Sequence, residues 1–70
     1  MSNKREWLIQ IRKTRGLSRV DVASKVKITQ QMYYYIENNV RNPSVKLAQK
    51  IADVLGFEWT MFYPKKKKKK

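Results

Sequence analysis

The chain has 70 residues, enough for one domain with a small apolar core. It contains no cysteine and no histidine, which removes disulfides, thiolate metal sites and the commonest general base. Its formal charge of +12 directs attention to polyanions: DNA, RNA or an anionic membrane face.

Six of those charges are the terminal run Lys65–Lys70; without it the body keeps 11 Lys+Arg against 5 Asp+Glu, a formal +6. The run reads as a disordered tail, either an added solubility tag or a nucleic-acid arm that strengthens non-specific binding by counterion release. The domain is therefore set at 1–63 and the tail at 64–70. No stretch approaches the roughly 20 apolar residues that span a bilayer, and the opening residues carry no apolar run of a secretory signal. A cytoplasmic protein is expected.

The first helix is expected over 3–15, with Asn3 as its cap and Glu6 three residues on. Trp7, Leu8 and Ile11 share one side, Arg12, Lys13 and Arg15 suit the helix dipole at its end, and Gly16 stops it. Ser18 then caps a second helix, Arg19 to about Val26, with Asp21 at the third helical position and Val22, Ala23 and Val26 facing inward. Thr29 caps a third, from Gln30 to about Asn38, whose inner side is Tyr33 and Ile36 and whose outer side carries Gln30, Gln31, Tyr34 and Tyr35. Asn38-Asn39 ends it, and Val40-Arg41-Asn42-Pro43 forms a loop. Ser44 caps a fourth helix over about 45–55, stopped by Gly56, and a short fifth helix is expected over about 58–62. No segment alternates with period two for long enough to propose a strand.

Two short helices joined by a turn, with Ala23 small enough for a steep crossing, make a helix-turn-helix. That packing leaves the polar side of the third helix exposed and shaped for a major groove. Gln pairs bidentately with adenine, so Gln30 and Gln31 at the amino end are candidate readers. Tyr34 and Tyr35 can reach phosphates through their hydroxyls or thymine methyls through their rings. Catalysis is not expected, because the chain has no Gly-rich phosphate loop and no carboxylate cluster with an evident partner. No cofactor and no metal are expected.

The run Arg19 to Asn38 resembles the helix-turn-helix of the phage lambda repressor and Cro group, the XRE family. The supporting stretches are Arg12 to Ser18, Val26 to Gln31, Ile36 to Ser44 and Ala48 to Gly56. The resemblance implies an all-α, compact five-helix fold and binding to a double-stranded DNA operator, with helix 3 in the major groove. It implies base reading by Thr29, Gln30, Gln31 and Tyr35. It implies a phosphate anchor at Arg19, where Gln is usual, and backbone contacts along the loop Asn38, Asn39, Val40, Arg41 and Asn42. Ser18 and Tyr34 join the candidate phosphate contacts. Arg12 and Glu37 are implied to form a structural ion pair.

The sequence departs from the family at Lys27 and Asn39, where Gly is usual, at Val20, a normally polar site, and at Tyr33, a core position usually Val or Ile. A lysine at 27 either accepts positive φ or gives the turn another geometry. The leading functional reading is a transcriptional repressor of phage, plasmid or mobile-element type. It is expected to act as a homodimer through Phe57, Trp59, Met61, Phe62 and Tyr63. The alternatives are a protein-interaction module such as an antitoxin, and a non-specific nucleic-acid binder.

Overall fold

The structure, a computed structural model, describes residues 4–63; Asn3 and the lysine run lie outside them. The described chain forms α1 (Glu6–Thr14), α2 (Arg19–Val26), α3 (Gln30–Glu37) and α4 (Val45–Leu55), followed by a 3-10 turn, Trp59–Phe62. No strand occurs among the described residues.

Three of the four α-helices start on the same device. The hydroxyls of Ser18, Thr29 and Ser44 accept from the backbone N–H of Asp21, Met32 and Leu47. Each satisfies a donor the helix leaves unpaired, an effect of about 1 kcal/mol. At Ser18 the bond is reciprocal: the Asp21 carboxylate accepts from the Ser18 N–H at 2.9 Å.

The first helix differs from the expectation. It starts at Glu6, with Arg5 at the cap position and no side-chain acceptor there. The physical reason lies across the molecule. The Arg5 N–H donates to the Glu37 carbonyl at 2.8 Å, and Arg5 sits at φ −78°, ψ 76°, outside the helical region. Backbone drawn toward α3 cannot also continue a helical turn. The expected fifth helix is likewise a single 3-10 turn, closed by the bonds Met61 N–H to Glu58 O and Tyr63 N–H to Thr60 O.

Lys27 takes the left-handed conformation at φ 62°, and so does Asn39. The turn thus keeps the geometry that glycine would allow, at the strain an L-residue carries there. Gly56 suits its position through its φ of 78°; a Cβ there would stand 2.6 Å from Arg15 Nη2, the end of a flexible side chain that would shift to admit it.

The core joins Leu8 of α1, Val22, Ala23 and Val26 of α2, Tyr33 and Ile36 of α3, Ala48, Ile51 and Leu55 of α4, and Phe62. α2 packs against both α3 and α4, the 3-10 turn packs on α4, and α1 packs on α3. Ala23 is buried in α2, the helix that packs against both α3 and α4. Trp7 is half-buried, edge-on to both Phe57 and Phe62.

Candidate nucleic-acid interface

The two sides of α3 are chemically opposite. Tyr33, Ile36 and Glu37 are buried, while Gln30, Gln31 and Tyr34 are exposed. Arg19, Thr29, Gln30, Gln31 and Tyr34 together line one open cleft. The structure therefore gathers the amino end of α3 and the first residue of α2 on a single surface.

Within that surface the side chains are partly organised. The Gln31 amide donates to the Tyr35 hydroxyl at 2.7 Å, one helical turn on. That leaves the Gln31 carbonyl oxygen and one amide hydrogen to meet a base edge, and the Tyr35 proton to be donated elsewhere. Thr29 and Ser18 have their oxygens engaged as caps. The Arg19 guanidinium lies over the Tyr34 ring, 5.3 Å from its centroid.

Beneath the surface sits a charged joint. Arg12 donates to Glu37 through Nε at 2.5 Å and Nη2 at 3.3 Å, and a third bond runs to the Leu17 carbonyl. Glu37 has no solvent exposure. Arg19 reaches the same carboxylate at 3.4 Å, with its side chain 44% exposed. Arg19 is thus shared between Glu37 and solvent. The hydrogen bond to Glu37 holds the Arg12 pKa above its ordinary value, against the opposing effect of burial. Tyr33 reaches into this joint; its hydroxyl is buried without a hydrogen-bond partner. Burial, then the Glu37 charge, push its pKa well above the usual tyrosine value.

The loop after α3 begins at the helix's carboxyl end. Asn38 donates to the Tyr34 carbonyl at 2.9 Å, and Asn39, Arg41 and Asn42 are exposed. Sequence reasoning missed what holds it. Arg5 is buried and donates to the carbonyls of Ile36 at 2.5 Å and Arg41 at 3.2 Å, and to Asn42 Oδ1 at 2.5 Å. No local pattern marks Arg5, since its partners are more than 30 residues away.

The expected interface residues divide. Met61 is exposed, and Phe57, Trp59 and Tyr63 are half-buried. Phe62 is a correction: it is buried in the core against Trp7 and Phe57, only 4% exposed, and so offers little surface to a second copy. The Tyr63 hydroxyl donates to the Pro43 carbonyl, tying the terminal turn to the loop after α3.

Short capped helices, a left-handed turn between α2 and α3, and a polar edge on α3 define a helix-turn-helix protein. The chain belongs to the helix-turn-helix family, of the XRE type, whose pattern matches residues 8–62. It is 41% identical over 59 residues to an uncharacterized HTH-type transcriptional regulator, YqaF, of Bacillus subtilis (strain 168); the match spans 84% of this chain and 78% of that protein. Its fold is similar to the N-terminal DNA binding domain of SinR from Bacillus subtilis, with a TM-score of 0.74 and 26% identity, over 90% of this chain and 93% of that one. A SinR protein/SinI protein complex matches with a TM-score of 0.75 and 26% identity, over 87% of this chain; the match covers 60% of that longer chain. Among the described residues, no helix is long and apolar enough to cross a membrane.

Proposed function

We propose that this chain is a sequence-specific, double-stranded DNA-binding transcriptional repressor of phage, plasmid or mobile-element type, acting as a homodimer in the cytoplasm. The observation that carries the reading is the division of α3. Its amino end holds Gln30 and Gln31 in solvent, beside Arg19, while its opposite side is locked by Tyr33, Ile36 and Glu37. The printed names of the similar proteins, a transcriptional regulator and a DNA-binding domain, support the same reading.

In this reading Thr29, Gln30, Gln31 and Tyr35 face base edges in the major groove. Ser18, Arg19, Tyr34, Asn38, Asn39, Arg41 and Asn42 hold phosphates on either side. Bound to an operator, the protein excludes polymerase from the same duplex. Phe57, Trp59, Met61 and Tyr63 form the dimer surface, with Phe62 supporting it from within; two half-sites one helical turn apart then match the two-fold axis.

Selection of bound duplexes from a random pool, using the full chain, tests the reading. Gln31→Ala should relax preference at one base pair, worth about 1–3 kcal/mol of discrimination. Arg19→Ala should weaken all duplexes alike and reduce the salt slope by about one. If the two variants behave alike, the assignment of readers and anchors is wrong. Sedimentation that finds a monomer both free and on DNA removes the dimer.

A further inference from the structure

Arg5 is an unusual investment for a surface-rich domain. Its guanidinium is withdrawn from solvent, lies 5.3 Å from the Phe62 ring centroid, and makes three hydrogen bonds, one to the last turn of α3 at Ile36 and two to the loop that follows. The bonds to the Ile36 and Arg41 carbonyls would tie α3 and the loop to Arg5 whatever their side chains were. The third goes to a side chain, Asn42, whose residue is otherwise exposed.

That third bond has a chemical consequence. A carboxamide is both donor and acceptor, and a free one can present either end. Arginine has no acceptor, so only Oδ1 of Asn42 can face Arg5. The amide nitrogen, with two hydrogens, is then the end left for solvent. Asn42 has become a donor of fixed direction. Lys4, Asn39 and Asn42 line an open cleft together with Arg5 and the apolar Trp7, Met61 and Phe62. An ammonium, a carboxamide and one N–H donor of fixed direction in one cleft suit a phosphodiester oxygen.

We propose that Lys4, Asn39 and Asn42 form a seat for a DNA phosphate, and that Arg5 is a positioning residue that orients the Asn42 amide toward it. The inference rests on the reading of this surface as a DNA interface. It adds a residue that never touches the nucleic acid and a cation, Lys4, that extends the contact from the loop to the start of α1.

The test uses the full chain and a duplex recovered by selection on it, with melting and binding measured for each variant. Asn42→Asp keeps an acceptor for Arg5 but removes the donor. Its melting temperature should match the wild type or exceed it, while affinity falls about tenfold or more. Gln49→Glu, an exposed change of equal charge on α4, controls for repulsion and should lose far less. Arg5→Gln removes the charge and cannot fork to three acceptors. Below its melting transition it should lose affinity with the salt slope unchanged, because a cation withdrawn from solvent and from the phosphates releases no counterion. Combined with Asn42→Ala, it should cost little more than Asn42→Ala alone.

The seat is overturned if Asn42→Asp binds as well as the Gln49→Glu control. Arg5 as a positioning residue is overturned if the neutral Arg5→Gln lowers the salt slope by about one, the mark of a direct phosphate contact, or if its loss adds fully to that of Asn42→Ala. A wild-type chain that retains no duplex in the selection sinks the DNA reading itself, a result distinct from both.

Discussion

The two ends of α3 follow opposite rules. At the amino end the side chains are neutral, exposed and bonded only to near neighbours: Thr29 to Met32, Gln31 to Tyr35. At the carboxyl end a carboxylate is sealed from solvent between Arg12 and Arg19, and its own carbonyl accepts from Arg5. The first end can give up its contacts to a ligand at little cost. The second cannot, because removing one member leaves charge stranded in a low dielectric. Rigidity at one end is what lets the other present fixed side chains.

This contrast is sharpest under substitution at the sealed end. Glu37→Ala should destabilise the fold by about 3–5 kcal/mol, since it leaves the buried Arg12 guanidinium without its counter-charge. For a domain of this size that is comparable to the whole stability. Gln31→Ala, six residues earlier on the same helix, should change stability by no more than about 0.5 kcal/mol. Urea unfolding of the two variants measures both. Similar losses would mean that the two ends of α3 are not energetically distinct.

A smaller effect is expected at the turn that aims α3. Lys27 holds φ 62° without glycine's freedom, so Lys27→Gly should relieve strain and raise stability by about 1 kcal/mol, read from the denaturant midpoint. The gain is reduced by the extra freedom glycine has in the unfolded chain. A loss instead would show that the lysine side chain makes a favourable contact that outweighs the strain.

The features legible in the sequence are the ones with local causes. Ser18, Thr29 and Ser44 bond three residues ahead, so a short window contains both partners. Gly16 and Gly56 mark helix ends through their own φ. The bounds of α2 follow from such signals, as does the inward side expected of α4, Leu47, Ala48, Ile51, Ala52 and Leu55, of which Leu47 is half-buried and the other four are buried. Arg5 was illegible for the converse reason: its neighbours in sequence say nothing of Ile36, Arg41 or Asn42. The terminal aromatics were misjudged in part on the same ground. Composition marks Phe57, Trp59, Met61, Phe62 and Tyr63 as an apolar cluster, but only the packing on Trp7 decides that Phe62 turns inward. At the candidate interface the outward residues of α3 followed from helical phase. The sharing of Arg19 with Glu37 did not, because it needs the crossing of α2 over α3.

The faintest effect separates the chain's two well-placed carboxylates by their surroundings. Asp21 caps α2 in full solvent, and its bonds from Ser18, with help from the nearby Lys25, hold its pKa below the ordinary 3.8. A depressed carboxylate stabilises the fold above its unfolded pKa, and that contribution is lost as pH falls through the folded value. Asp21→Asn keeps an oxygen that can accept from the Ser18 N–H but removes the charge. The wild type should therefore be the more stable of the two near neutrality, and the gap between their denaturant midpoints should close as pH drops below 3.8. The gap should be small, because an exposed carboxylate at a helix start is screened by water and salt. A difference that persists unchanged into acid would assign the capping box to its geometry alone, and leave the buried Glu37 as the carboxylate whose charge the fold depends on.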